Sequence, residues 1–267
     1  MLRITLRINV INPPLQNTST LLESFGSNQN VAVVGSSGGL GCAFMERLLD
    51  CPSVSKVFAL SRQKPQSTHI KQASVYLDLE NDESIKLAAD TVQRSVETLN
   101  LVIISTGILH DGSDMQPERS FESITLHMLE RAYRINAIAP ALVAKYFLPL
   151  LARDQKSAFA ALSARVGSIS DNRLGGWHSY RASKAALNML IRTFAIELRR
   201  RNPKAVCVAL HPGTVDTPLS KPFQRNVPKG SLKSPSESAT QLLTVLDSLS
   251  PNASGGLYAW DGSAIPF

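Results

Sequence analysis

Cysteine is scarce in this 267-residue chain, and Cys42, Cys51 and Cys207 form no C-x-x-C pair. Three cysteines cannot all be bridged, which excludes a disulfide framework or a cysteine zinc site and fits a reducing compartment. His69, His110, His127, His178 and His211 are scattered without metal-ligand spacing, so no metal is expected. No apolar run approaches the roughly 20 residues of a membrane span; Ala137–Val143 is one of the longest. Internal repeats, low-complexity tracts and composition breaks are also missing, so one domain is expected. Acid is absent from the start of the chain, where Arg3, Arg7 and Pro13-Pro14 precede the first carboxylate, Glu23. Residues 1–28 read as an N-terminal extension, either an organelle presequence or a frayed or strand-like segment. Residues 29–267 read as the domain, cytoplasmic unless that extension directs import.

What is present is ordinary for an enzyme: 43% apolar residues, 18% charged and a net charge of +7. The densest basic cluster, Arg199, Arg200, Arg201 and Lys204, has no interleaved aromatics. It reads as a solvated helix C-terminus, with no nucleic acid partner implied. From Asn30 onward, short apolar runs alternate with helical patterns. Val31–Val34, Lys56–Leu60, Ser74–Leu77, Leu101–Ser105, Ala158–Ser163, Ala205–Leu210 and Leu257–Trp260 read as strands buried on both faces. Leu40, Phe44 and Leu48 mark one helix, and Ser179–Arg201 a longer one. The expected fold class is α/β, a single doubly wound parallel sheet of Rossmann type with helices on both faces. Thr214–Ser234, with three prolines, reads as a lid or binding segment.

The first strand runs into Gly35-Ser36-Ser37-Gly38-Gly39-Leu40-Gly41. Gly35, Gly39 and Gly41 have the G-x-x-x-G-x-G spacing that lets backbone approach a pyrophosphate at a helix N-terminus. Ser37 and Leu40 belong to the same turn. The overlapping G-x-S-x-G also matches a hydrolase nucleophile elbow, with Ser37 as nucleophile and Asp171 and His211 as partners. That alternative is weakened because the first core strand has no sheet upstream to supply an oxyanion hole. After the second strand, Arg62 can pair with a 2′-phosphate where an acid would bond ribose hydroxyls, favouring NADP(H) over NAD(H). Asp78-Leu79, after the third strand, can hold the adenine amino group, or Asp78 can cap the next helix.

Tyr180-Arg181-Ala182-Ser183-Lys184 places a phenol and an ammonium on one helical face. A cation about 4 Å away contributes on the order of 4 kcal/mol at an effective dielectric of 20. That lowers a phenol by up to about three pKa units, from about 10 toward 7.

The glycine turn, Tyr180-x-x-x-Lys184 and Pro212-Gly213-x-Val215-x-Thr217 occur in the order that marks short-chain dehydrogenases/reductases, and the chain resembles that family from Asn30 to Phe267. Ser163-Ala164-Arg165-Val166-Gly167-Ser168-Ile169 followed by Gly175-Gly176-Trp177 resembles the C-factor and sniffer-type carbonyl reductase branch. The resemblance implies hydride transfer between a nicotinamide and a small carbonyl or alcohol substrate, and it leaves a homo-oligomer open. Tyr180 would be the general acid, Lys184 would lower its pKa and bond the nicotinamide ribose, and Asn136 would hold a relay water. Val215 and Thr217 would hold the carboxamide and phosphates. Leu109, Leu174, Trp177 and Phe223 are candidates for an apolar substrate wall.

Two departures stand out. Ile104-Ser105-Thr106-Gly107 replaces the family's Asn-Asn-Ala-Gly run, keeping only Gly107. The family serine, thirteen residues before the tyrosine, would fall on Gly167; aligned on the strand end it falls on Ala164. Ser168 is therefore assigned the carbonyl-donor role in preference to Ser163, which strand alternation turns to the other face. If neither reaches, a nucleotide-binding sensor or signalling protein with little turnover becomes the alternative.

Overall fold

The computed structural model describes residues 21–63, 69–112 and 115–267. Strand β1 (Gln29–Val34) leads through the glycine turn into α1 (Gly39–Leu49). Then come β2 (Val54–Ser61), β3 (Gln72–Tyr76), α2 (Asp82–Ser95) and β4 (Leu101–Ile104). Asn81 caps α2 by accepting from the Ser84 N–H at 3.1 Å, so Asp78 is not the cap. Helices α3 (Leu126–Tyr133) and α4 (Ala139–Phe147) are joined by a π turn over Arg134–Ile138. Pro140 explains the widening, because its ring would clash with the carbonyl four residues back, at Asn136.

The chain continues through β5 (Ser157–Leu162), α5 (His178–Arg201), β6 (Ala205–His211), β7 (Thr214–Val215), β8 (Leu232–Lys233), α6 (Pro235–Ser248), β9 (Leu257–Ala259) and β10 (Ala264–Ile265). The eight-stranded sheet has the order β10-β9-β6-β5-β4-β1-β2-β3 and is parallel except at β10. All seven strands expected from apolar runs are present, within two residues at each end. β10 and the small β7–β8 pair are two-residue elements, too short for periodicity to reveal. The β7–β8 pair joins the two ends of the Thr214–Ser234 segment.

Two apolar clusters cover the two sheet faces, one around Phe58, Phe147 and Phe159, the other around Phe25, Phe44 and Leu48. Leu21, Leu22 and Phe25 are fully buried in the second, and Lys156 Nζ donates to Ser24 Oγ at 2.7 Å. Residues 21–28 are thus packed onto the domain and are not a frayed tail. Residues 1–20, where the presequence expectation chiefly rests, lie outside the described residues.

The sheet order reverses between β1 and β4: the chain builds outward through β2 and β3, then returns to β4 on the other side. Such a switch point leaves a crevice at the carboxyl ends of the strands.

Candidate active site

A cleft of about 510 Å³ opens at that switch point. Gly35, Ser37, Gly39 and Leu40 line it from the glycine turn; Arg62, Asp78 and Leu79 from the ends of β2 and β3; Gly107 after β4. Tyr180, Lys184, Pro212 and Thr217 close the opposite end. Residues read from six separate stretches of sequence therefore meet in one cavity.

The glycines act through space as well as conformation. Gly35 has φ +83°, a left-handed geometry costly for a side chain. A Cβ on Gly39 would lie 2.8 Å from Thr217 Cγ2, closing the cleft. A Cβ on Gly41 would overlap the carbonyl of Gly35, so Gly41 does not line the cleft but lets α1 sit against the turn. The first-turn N–H groups of α1 have no helical carbonyl to bond, and Thr106 Oγ1 is buried in the wall without a partner. This cradle of backbone donors, with Arg62 at one end, fits a dinucleotide diphosphate and its ribose.

Asn136 stands behind the wall, fully buried. Its Nδ2 donates to Ile108 O at 2.9 Å and Ser183 Oγ at 3.0 Å, and its Oδ1 accepts from the Ile108 N–H at 2.8 Å. Both amide hydrogens are engaged by protein, so the side chain braces the β4 loop against α5. Gly107 fits between these groups: a Cβ there would lie 3.4 Å from both Asn136 Oδ1 and Lys184 Nζ. Gly213 and Val215 also lie behind the wall. Gly213 is left-handed at φ +78° beside Trp260, and Val215 is buried in β7.

The two serines exchange places relative to expectation. A 3₁₀ turn over Arg165–Gly167 follows β5. Gly167 is pressed onto α5, where a Cβ would be 2.8 Å from Lys184 Cβ. Ser168 therefore points back into its own loop, where its Oγ accepts from the Asp171 N–H at 3.1 Å, and it does not line the cleft. Ser163 does line the cleft, because it follows the last residue of β5 and strand alternation no longer governs it. Its Oγ donates to Asn188 Oδ1 at 2.7 Å, and Asn188 Nδ2 donates to Gly167 O at 3.2 Å. Asn188 is four residues beyond Lys184 on the same helical face, a spacing that could have pointed to it.

The pKa shifts reverse the expected coupling. Burial pushes the Tyr180 phenol up to about 12 and the Lys184 ammonium down to about 7. Lys184 Nζ donates to Leu162 O at 2.8 Å and lies 5.8 Å from the Tyr180 ring centroid. Desolvation of both groups outweighs their attraction, a term that residue spacing cannot reveal.

The first turn of α5 is held from a distance. Gly175, Gly176 and Trp177 are all left-handed (φ +63°, +66° and +53°), and Trp177 makes no side-chain cap. Glu118, 2% exposed, takes the capping role: its carboxylate accepts from the Ser179 N–H at 3.2 Å and from the Ser179 hydroxyl. Its carbonyl accepts from the Trp177 N–H at 2.6 Å. No sequence pattern links residues 61 apart. An aromatic chain runs from Tyr180 to Trp177 (6.2 Å), Phe223 (5.1 Å) and His110 (5.7 Å). His110 Nε2 is 3.2 Å from the Pro218 and Leu219 carbonyls, joining the cleft rim to the lid. Trp177 thus packs against the tyrosine and Phe223 against Trp177, Leu174 is 91% exposed and Leu109 is buried, and none of the four is among the residues lining the cleft. For the hydrolase alternative, Ser37 has no hydrogen bond to His211 or Asp171 among the described residues. Burial holds His211 down to about 4, with Nδ1 unpartnered.

A model of short chain dehydrogenases matches residues 29–228. An uncharacterized oxidoreductase of Schizosaccharomyces pombe is 28% identical over 90% of this chain and 99% of its own length. The C-signal of Myxococcus xanthus is 35% identical over 52% of this chain and 78% of its own. Among solved structures, an NADPH-bound carbonyl reductase from chicken fatty liver is 30% identical, with a TM-score of 0.77 and coverage of 90% and 95%. The carbonyl reductase Sniffer of Drosophila melanogaster, 22% identical, shares the fold with a TM-score of 0.77 over 90% of this chain and all of its own. No helix among the described residues is long and apolar enough to cross a membrane.

Proposed function

The chain belongs to the short-chain dehydrogenase family, and from that premise we propose that it is an NADP(H)-dependent reductase of ketones or aldehydes with Tyr180 as proton donor. The main support is that Tyr180 and Lys184 border the same cleft as the glycine turn. Arg62 on the cleft wall, and the NADPH in the 30% identical chicken carbonyl reductase, favour the phosphorylated coenzyme. Residues 29–267 form the coenzyme-binding domain in this reading, and the substrate is a small molecule.

Bound NADP(H) supplies or takes up the hydride. Tyr180, held up to about 12 by burial, stays protonated across the neutral range and is poised to donate to a carbonyl oxygen. Lys184, anchored on Leu162 O, places its ammonium beside the phenol and carries full charge only below about pH 7. With Ala164 in the serine slot and the Ser163 hydroxyl donating to Asn188, proton donation is assigned to Tyr180. Trp177 packs edge-on against it, with Phe223 behind Trp177.

The test is NADPH oxidation, followed by absorbance, against a panel of carbonyls. Tyr180→Phe should reduce turnover by roughly 10²–10⁴, the usual worth of a positioned acid, while NADPH still quenches tryptophan fluorescence. Full turnover in that variant would remove Tyr180 from the role. Tight NADPH binding with no oxidation across the panel would favour the sensor instead.

A further inference from the structure

The adenosine end of the cleft carries charges that the reading above leaves unused. Glu80, in the loop between β3 and α2, and Arg131, on α3, both line the cleft with Arg62 and Asp78. Arg131 Nη1 is bonded to Glu80 Oε1, bridging two elements 51 residues apart across the wall. The Glu80 backbone N–H donates to Asp78 Oδ1 at 3.1 Å, holding the Asp78 carboxylate against the Glu80 backbone. The described cleft residues at this end thus supply two positive and two negative groups, balanced overall. In a doubly wound fold, the group after the second strand faces the ribose 2′ position, and Glu80 and Arg131 line the same cleft as that group, Arg62.

A 2′-phosphate would bring nearly two negative charges to this end. Arg62 attracts it, and a bare Glu80 carboxylate would repel it. Arg131 changes that balance, since a guanidinium has five N–H donors and bonding to Glu80 leaves others free to face a phosphate. We infer that the Glu80–Arg131 pair is a second determinant of coenzyme choice beside Arg62, Glu80 disfavouring the 2′-phosphate and Arg131 offsetting it. This rests on the dinucleotide reading of the cleft, and it identifies what sets the preference within that reading. The two side chains are 31% and 29% exposed, so solvent screens their effect without removing it.

Calorimetric titration of the whole chain with 2′,5′-ADP and 5′-ADP tests this without a substrate. Glu80→Gln should tighten 2′,5′-ADP roughly three- to tenfold, the size of one screened charge contact, and leave 5′-ADP unchanged. Arg131→Met should weaken 2′,5′-ADP by a similar factor, again sparing 5′-ADP, and the double variant should return toward the wild-type ratio. Melting curves of each variant verify folding. Equal shifts for both nucleotides, or none for either, would overturn the inference while leaving the coenzyme reading intact. A wild-type chain binding neither nucleotide would sink the coenzyme reading and this inference with it.

Discussion

At the adenosine end of the cleft the charged groups are partly solvated and paired with opposite sign, Arg131 against Glu80 and both about one-third exposed. At the Tyr180 end the titratable groups are buried, and the partner of Lys184 is a backbone carbonyl, that of Leu162. The two ends follow different physics. Solvated, paired charges adjust affinity by small factors. Buried groups without an opposite charge are driven toward their neutral forms, as Tyr180 and Lys184 are. One end is suited to choosing a ligand and the other to moving a proton.

The glycine turn joins the two ends, and breaking it should have the largest effect on folding and binding together. Gly41→Ala puts a methyl onto the Gly35 carbonyl, which is backbone and cannot rotate away. Overpacking of this kind destabilises by roughly 1–3 kcal/mol. Urea unfolding should show that loss, and NADPH binding should weaken as the turn shifts. An unchanged midpoint would mean that α1 can move aside freely, and that the two ends are not rigidly joined. Glu118→Ala probes the catalytic end alone. Leaving the buried Ser179 N–H without an acceptor should cost about 1–3 kcal/mol, whereas Glu118→Gln keeps an acceptor and should recover most of it. Turnover should fall with little change in NADPH affinity, because the cap orients Tyr180 and not the nucleotide cradle.

The same division explains how much the sequence revealed. The adenosine end is built from features local in the chain: a strand, a glycine turn, and the first residues after β2 and β3. Apolar runs and glycine spacing therefore located Gly35, Gly39, Arg62 and Asp78 in the wall. At the catalytic end the i, i+4 spacing located Tyr180 and Lys184, but long-range packing determined the rest. The 3₁₀ turn at Arg165–Gly167 exchanged the positions of Ser163 and Ser168, and Glu118 reached α5 from 61 residues away. Spacing also gave the wrong direction for the phenol, because it counts the attraction of a neighbouring ammonium and not the desolvation of both groups.

That last point yields the most discriminating measurement. Lys184 has a folded pKa of about 7, below its ordinary 10.5. Between those values the unfolded chain binds more protons, so this residue's contribution to stability rises with pH and is lost as pH falls through 7. Lys184→Met removes the group, so the variant should gain most over wild type near pH 7 and below, and the gap should narrow toward pH 10.5. The slope of the difference cannot exceed about 1.4 kcal/mol per pH unit for a single group. Urea unfolding at intervals from pH 7 to pH 10 would measure it. Glu80→Gln serves as the control from the other end, since it leaves Lys184 and its surroundings in place and its curve should parallel wild type. Parallel curves for Lys184→Met as well would mean that the ammonium keeps its charge in the fold. The contrast between a solvated, paired end and a buried, neutralised one would then fail at the residue on which it depends most.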